Sequence, residues 1–143
     1  MRKAYEFLPH TADVYIAAYG STLEEAFENA ARAMLEVMTD PASVEVERRL
    51  SIKVEGFDVE SLLYNWLEEL LFHFDSEGLL FSEVKVKRIA RENEKYILEA
   101  EVGGEAFDPN KHESRTLVKA ATYHMMEVLK TDEGYVLKFV LDI

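Results

Sequence analysis

The chain has 143 residues, which predicts one domain over residues 1–143, since a single core commonly organises about 100–200 residues. Its 28 acidic and 16 basic residues give a formal net charge of −12. This charge disfavours direct binding to RNA, DNA or anionic lipid, because phosphate binding depends on Lys and Arg. A hydrophobic fraction of 48% excludes a disordered protein, and the absence of cysteine excludes thiolate catalysis, iron–sulfur clusters and disulfides.

The first elements predicted along the chain are two strands and the start of a helix. Strands are expected at residues 3–8 and 14–19, and the polar corner His10-Thr11-Ala12-Asp13 lies between them. Ser21 and Glu24 are spaced as a capping box, in which a hydroxyl and a carboxylate satisfy free N–H groups reciprocally. A helix is therefore expected to begin at this point.

The apolar positions of this helix recur at helical spacing from Leu23 to Met38. Pro41 ends it, because the residue before a proline is disfavoured in the α conformation. Apolar and polar residues then alternate over 44–54, which predicts a half-buried strand. Asp58 is placed to cap a second amphipathic helix with apolar residues over 59–74. Three acidic side chains are expected on the outer face of that helix: Glu60, Glu68 and Glu69.

The C-terminal half of the chain is predicted to consist of strands. A hairpin is expected to join residues 83–91 to 96–102, and glycines and a proline predict a long loop over 103–110. Two or three further strands are expected from about residue 116 onward, with a turn between those at 126–130 and 135–142. This order of elements predicts an α+β fold, a two-layer sandwich with a mixed β-sheet and two amphipathic helices on one face.

The location of the protein is predicted from what the chain lacks. Residues 1–10 contain no apolar segment typical of a signal peptide, and no apolar stretch approaches the roughly 20 residues that span a bilayer. A cytoplasmic protein with no membrane partner is therefore expected.

Zinc chemistry is not favoured by the histidines. His112-Glu113 starts an HExxH-like sequence, but Thr116 stands where the second histidine is needed. The four histidines are scattered, so an imidazole site would need tertiary coincidence. They are His10, His73, His112 and His124.

Asp13 allows two interpretations. In the commoner one, its side chain and that of Thr11 bond nearby backbone N–H groups in a polar turn, and the residues alone favour this. In the other, Asp13 joins Asp142 and the α-carboxylate of Ile143 in a site for a hard divalent cation, since such cations bind oxygen ligands. The second interpretation requires the two strand ends to be adjacent in the fold.

Four segments together resemble the archease family. They are His10-Thr11-Ala12-Asp13, the Trp66–Asp75 segment with the pattern Trp-Leu-x-Glu-Leu-Leu-x-x-Phe-Asp, Lys119-Ala120-Ala121-Thr122-Tyr123-His124, and the ending Leu141-Asp142-Ile143. Each is weak alone, but they occur in order over essentially the whole chain. The sequence departs from the family pattern at three positions, with Tyr15 for glycine, Glu68 for asparagine and Ala121 for valine.

The resemblance implies an accessory protein rather than an enzyme. Archeases assist the GTP-dependent RNA ligase that joins tRNA exon halves in tRNA splicing. They promote guanylylation of the ligase's active-site histidine and so sustain multiple turnover. The implied partner is thus this ligase, with no direct binding of nucleic acid by the chain itself.

The resemblance also implies a metal site. The ligands implied by the resemblance are Asp13, Asp142 and Ile143, the last through its terminal carboxylate. Ca²⁺ is the first candidate for the cation, with Mg²⁺ or Mn²⁺ as alternatives. The resemblance therefore favours the interpretation of Asp13 as a metal ligand over its interpretation as a turn residue. Supporting or partner-facing roles are left for His10, Lys119, Thr122 and His124.

Two alternatives remain open at this point. One is a small stand-alone metal-dependent phosphoester hydrolase, with Asp13, Asp142 and His124 around a cation that activates water. The other is a general chaperone-like acidic module. The hydrolase would turn over a phosphoester without a partner, whereas the ligase activator would not. The chaperone-like module would suppress aggregation broadly, indifferent to both the ligase and the metal.

Overall fold

A computed structural model describes residues 3–143, in which the strands form two separate antiparallel sheets. The first sheet has the order β1-β2-β8-β6, and β7 also pairs with β8. Its central pair is β2 with β8, so the N-terminal and C-terminal parts of the chain meet in the middle of one sheet. The five strands are β1 (Tyr5–Leu8), β2 (Val14–Gly20), β6 (Ala120–Ala121), β7 (Glu127–Thr131) and β8 (Gly134–Asp142).

The second sheet has three strands in the order β3-β5-β4. They are β3 (Arg48–Gly56), β4 (Leu79–Glu92) and β5 (Lys95–Ala106). A two-residue turn joins β4 to β5, with Asn93 at φ 50° and Glu94 at φ 66°. Two consecutive positive φ angles are typical of a type I′ turn, whose twist matches that of a hairpin. The hairpin predicted from the sequence is confirmed.

Two helices pack against strands of both sheets. Helix α1 (Leu23–Met38) contacts β2, β8 and β4, and helix α2 (Val59–Glu77) contacts β3, β5 and β6. Trp66 of α2 is fully buried, and its indole Nε1 donates to the carbonyl oxygen of Phe27 in α1 at 3.0 Å. Because the buried indole N–H is satisfied, Trp66 contributes its full apolar area to the core. Helices and sheets therefore share one hydrophobic cluster.

The α+β class expected from the sequence is confirmed, but the sheet arrangement differs in detail. Within residues 3–143 the strand pairings are all antiparallel and form two sheets rather than one mixed sheet. The reason is long-range pairing: β3 pairs with β5 and β2 pairs with β8. Hydrophobic periodicity predicts that a strand exists, but it does not identify the strand's neighbour.

The start of α1 was predicted one residue too early. Thr22, not Ser21, is the N-cap, since its hydroxyl accepts the N–H of Glu25 at 3.1 Å. The Glu25 carboxylate in turn accepts the N–H of Ser21 at 2.7 Å. Glu24 is free for another contact, and it accepts the N–H of Ile89 on strand β4 at 3.3 Å. The acidic face of α1 thus covers part of an edge strand, which would otherwise expose unpaired N–H groups.

Two other boundaries also differ from prediction. Strand β3 begins at Arg48 rather than at residue 44, because a 3₁₀ turn over Pro41–Ser43 precedes it and Val44 is buried outside the sheet. Gly103 and Gly104 were expected in a loop but belong to β5. A Cβ on Gly104 would lie 1.7 Å from the carbonyl oxygen of Leu80, so this glycine permits close strand approach at a β-bulge.

Candidate functional site

The predicted ligands come together at one end of the central strand pair. The last paired residues are Val14 of β2 and Leu141 of β8, which run antiparallel. Asp13 directly precedes the first, and Asp142 directly follows the second. The register therefore brings Asp13 and Asp142 to neighbouring positions, although 129 positions of sequence separate them (142 − 13). Ile143 follows at the same strand end.

The two carboxylates have no ion-pair partner in the part of the chain that the structure describes. Both side chains are half-buried, and within residues 3–143 neither accepts a hydrogen bond nor forms an ion pair. Neighbouring carboxylates without a cation repel each other. Asp13 and Asp142 offer the hard oxygen donors that Ca²⁺ and Mg²⁺ prefer, and the α-carboxylate of Ile143 is the third donor expected from the resemblance. The donor chemistry fits the expected divalent cation.

No set of imidazoles supports zinc instead. Across residues 3–143 there is no group of three or more His, Cys, Asp or Glu side chains arranged to hold a metal. His112 is only 3% exposed, and its Nδ1 accepts the N–H of Asp108 at 2.9 Å. Its Nε2 therefore carries the proton and donates to Glu105 at 2.9 Å. Both ring nitrogens are engaged within the protein.

The strand end that carries Asp142 is held by the Lys119–His124 segment. The N–H of Lys119 donates to the carbonyl oxygen of Asp142 at 2.7 Å. The carbonyl oxygen of Val140 accepts both the N–H of Thr122 at 3.2 Å and its hydroxyl at 3.0 Å. Thr122 thus has a structural contact, while the Lys119 side chain is exposed beside the site. The segment includes only the short strand β6 and is otherwise irregular.

Two exposed histidines lie at the rim of the site. The Nδ1 atom of His10 accepts the N–H of Asp13 at 3.4 Å, which leaves the ring proton on Nε2. The ring of His124 lies edge-on to that of His10 with centroids 6.4 Å apart, and the ring of Tyr15 also lies edge-on to it at 6.1 Å. In this tautomer His10 is a hydrogen-bond donor towards solvent rather than a metal ligand.

Glu68 belongs to the site, contrary to the sequence prediction. It was expected on the solvent face of α2, but it is half-buried and its carboxylate accepts the N–H of Ala121 at 2.8 Å. This contact ties helix α2 to β6 and so to the strand end that carries Asp142. Only the tertiary pairing shows it, because no local pattern distinguishes Glu68 from its solvent-facing neighbours.

A second polar cluster, also missed, fixes the start of the 107–119 loop. Glu105 is 5% exposed and accepts hydrogen bonds from Lys111 Nζ at 2.8 Å, from His112 and from the N–H of Glu45 at 2.7 Å. These donors, Lys111 first, hold the pKa of Glu105 well below its usual range. The same pairing raises the pKa of Lys111. The loop therefore starts from a buried, charge-assisted anchor.

The same loop then covers the C-terminal end of α1. The N–H groups of Arg115 and Thr116 donate to the carbonyl oxygens of Met38 at 3.1 Å and Val37 at 3.0 Å. The Arg115 guanidinium also bonds the carbonyl oxygen of Glu36 at 2.9 Å. Helix α1 has no basic residue in its own last turn, so Arg115 supplies the positive charge that favours this helix end. From there the chain leads directly into β6.

Comparison with known proteins adds a family assignment to this geometry. The sequence profile described as "Archease protein family (MTH1598/TM1083)" matches residues 5–143. The chain belongs to the archease family. A protein archease of Sulfurisphaera tokodaii is 52% identical over 139 residues, which cover 97% of this chain and 98% of the relative. The Pyrococcus furiosus archease is 48% identical over 132 residues, 92% of each chain.

Two solved structures share the fold of this archease-family chain. The solution structure of Methanobacterium thermoautotrophicum protein 1598 superposes with a TM-score of 0.86 at 44% identity, covering 98% of this chain and 99% of that one. A crystal structure from Thermotoga maritima, described as "an archease, possible chaperone", has a TM-score of 0.61 and 22% identity over 100% and 98% of the two chains. At that identity the second comparison supports the fold alone.

Proposed function

We propose that this archease-family chain activates a GTP-dependent RNA ligase of tRNA splicing by promoting guanylylation of the ligase's active-site histidine. One observation carries the proposal: Asp13 and Asp142 lie at paired strand ends without an ion-pair partner within residues 3–143. Family membership supplies the class of protein, and this carboxylate pair supplies the site.

The site is proposed to hold a divalent cation through Asp13, Asp142 and the α-carboxylate of Ile143. Ca²⁺ is the first candidate and Mg²⁺ or Mn²⁺ the alternatives, since all three accept hard oxygen ligands. When bound, the cation would supply positive charge at an acidic edge of the molecule. The residues of this chain would hold it, and the backbone bond from Lys119 to Asp142 would fix the strand end.

The net charge of the chain is consistent with a protein partner rather than an RNA one. A charge of −12 repels a phosphate backbone but attracts a basic protein surface. In this proposal the RNA is bound by the ligase, and the chain docks near the ligase's nucleotide site.

No helix within residues 3–143 has the length and apolar character needed to cross a membrane. We place the chain in the cytoplasm, with the ligase.

The direct experiment measures ligase guanylylation and multiple-turnover RNA joining with radiolabelled GTP and purified ligase. Wild-type protein should increase both, because product would otherwise be limited to about one turnover of pre-guanylylated ligase. Asp13→Asn and Asp142→Asn should lose the enhancement, since each removes one carboxylate of the site. Asp132→Asn, an exposed aspartate in the β7–β8 turn, is the matched control and should behave as wild type.

The outcomes separate the alternatives. Absence of any enhancement by the wild-type protein would overturn the activator proposal. Metal-dependent turnover of a model phosphodiester in the absence of ligase would favour a stand-alone hydrolase instead. Suppression of aggregation of unrelated proteins, equal in the Asp13→Asn variant, would favour a general chaperone.

A further inference from the structure

The β3-β5-β4 sheet has one covered edge and one open edge. Helix α1 covers the β4 edge, where the Glu28 carboxylate accepts the N–H of Val86 at 2.8 Å. At the β3 edge, within residues 3–143, no second strand pairs with β3, and a single side-chain hydrogen bond reaches its backbone. This bond runs from Asn65 of α2 to the carbonyl oxygen of Glu55 at 2.7 Å. An edge strand left open in this way can pair with another strand.

Helix α2 presents an exposed aromatic ring along the same edge. Asn65 contacts β3 near its C-terminal end, and Glu77 contacts its N-terminal end through an ion pair with Arg48 at 3.2 Å. Phe72 follows Asn65 by seven residues, or two helical turns, and therefore lies on the same face of the helix. Its side chain is 60% exposed. Phe72 thus borders the open edge between the two ends of β3.

The sequence of β3 is complementary to itself in one antiparallel register. If a second copy pairs with β3 about Ile52, the two Ile52 residues lie opposite each other, and Arg49 of each copy lies opposite Glu55 of the other. Moving the axis to residue 53 places Lys53 opposite Lys53, and moving it to residue 51 places Arg49 opposite Lys53. Like charges directly opposite each other are destabilising. Charge therefore selects the register about Ile52.

The ion pairs already present on this sheet extend the same pattern. Arg49 pairs with Glu83 at 2.6 Å, and Glu55 pairs with Lys95 at 3.0 Å. Across the axis these side chains would form a row of alternating sign, with Glu83 and Arg49 from one copy followed by Glu55 and Lys95 from the other. The guanidinium of Arg49 has five N–H donors and can bond two carboxylates. The existing pairs therefore continue into the contact instead of opposing it, as in a charge network.

We propose that β3 pairs antiparallel with β3 of a second copy about Ile52, which joins the two three-stranded sheets, and that Phe72 of each copy packs beside the two-fold axis. The inference goes beyond the proposed function and does not depend on it. Because the contact uses the same residues of both copies, it closes as a dimer and leaves no open β3 edge. One strand pair and one aromatic pair form a small interface, so the dissociation constant is expected at about 10–100 μM.

Sedimentation equilibrium of the full chain, without ligase, from about 5 to 500 μM measures this constant. Arg49→Glu places carboxylates opposite each other across the axis, and Phe72→Ala removes the ring. The matched control for the charge is Lys87→Glu, which loses an exposed ion pair with Glu101 on the same sheet but away from the β3 edge. The control for the ring is Leu129→Ala, an exposed apolar position on β7. Thermal unfolding checks that all four variants are folded.

Arg49→Glu and Phe72→Ala should each weaken the dimer about tenfold or more, while the two controls should leave it unchanged. Glu55→Arg should weaken it as Arg49→Glu does. An equimolar mixture of these two variants should dimerise again, because each copy then places Glu opposite Arg at both positions of the contact. This rescue depends on the register and would not follow from a loss of folding.

Two results would overturn the inference: a wild-type protein that stays monomeric over the whole concentration range, or a dimer that neither Arg49→Glu nor Phe72→Ala weakens. A monomeric wild type whose affinity for purified ligase falls on Phe72→Ala would assign the edge to the ligase instead of a second copy. The proposed function is tested separately by guanylylation, so either proposal can fail while the other holds.

Discussion

The carboxylate of Glu68 accepts a hydrogen bond from the N–H of Ala121 at 2.8 Å, across 53 residues of sequence. Ala121 is paired with Leu141 of β8, one position before Asp142. Helix α2 thus supports the strand end that carries the candidate ligand. Strand β6 has only two residues, so this contact from Glu68 adds to the backbone bonds of Lys119 and Thr122 that hold it.

Substitution of Glu68 by alanine should therefore destabilise the fold by about 2 kcal/mol, since it leaves a partly buried N–H without its charged acceptor. Glu68→Gln keeps an acceptor oxygen and should be much closer to wild type. Urea unfolding measures both free energies. Glu60→Gln, at an exposed position of the same helix, is the control. Equal stability of Glu68→Ala and wild type would show that the contact is not energetically significant.

Calcium should stabilise the wild-type protein and not the Asp13→Asn or Asp142→Asn variants. Binding to the folded state alone raises the unfolding free energy by about 2.7 kcal/mol at a ligand concentration of 100 times the dissociation constant. Without metal, the same variants should be no less stable than wild type, because each removes one of two repelling charges. Melting curves with CaCl₂ measure the stabilisation by calcium, and melting curves with EDTA compare the variants with wild type in the absence of metal. A melting temperature that Ca²⁺ leaves unchanged in the wild type would contradict the metal site.

The contribution of Ile143 can be separated from that of the aspartates. A Gly-Ser extension after Ile143 moves the α-carboxylate away from the strand end but leaves Asp13 and Asp142 in place. Calcium affinity should fall by about tenfold or more, as expected for the loss of one charged ligand. Calorimetric titration measures it, with an equal extension at the N-terminus as control. If the affinity is unchanged, Ile143 is not a ligand.

The parts of the fold that follow from local pattern were predictable. Helices α1 and α2 and the β4–β5 hairpin appear in the sequence as apolar periodicity bounded by caps, prolines and turn residues. The division into two sheets could not be predicted in this way. It depends on the pairing of β3 with β5 and of β2 with β8, which are segments far apart in sequence. Gly104 illustrates the ambiguity: glycine favours a loop, but here it allows two strands to approach closely.

The candidate site also has residues that the sequence predicted and residues that it did not. Asp13 and Asp142 were proposed as neighbours from their residue types and from the archease resemblance, and the β2–β8 register brings them together. Their role as metal ligands stays a prediction. Glu68 and Glu105 were missed because their partners lie elsewhere in the chain or in an irregular loop. A charged residue in a helix or strand gives no local signal that separates a buried hydrogen-bonding role from a solvated one.

The Glu105 anchor should make stability depend on acid pH. Its pKa is lowered in the folded protein by Lys111, by the N–H of Glu45 and by His112. A carboxyl group with a lowered folded pKa stabilises the fold above its unfolded pKa, near 4.5, and this stabilisation is lost as the pH falls towards the folded pKa. Glu47 opposes it weakly, because the hydrogen bond to Glu105 and their repulsion raise the Glu47 pKa.

Glu105→Gln should therefore be clearly less stable than wild type at pH 7, since Gln presents an NH₂ group where donors from Lys111 and His112 need an acceptor. The difference should narrow between pH 5 and pH 3, where the wild type loses the contribution of the carboxylate and the variant has none to lose. Urea unfolding at several pH values measures it, with Glu94→Gln in the β4–β5 turn as an exposed control. A difference that stays constant over this range would show that Glu105 stabilises the loop by packing and not by its charge.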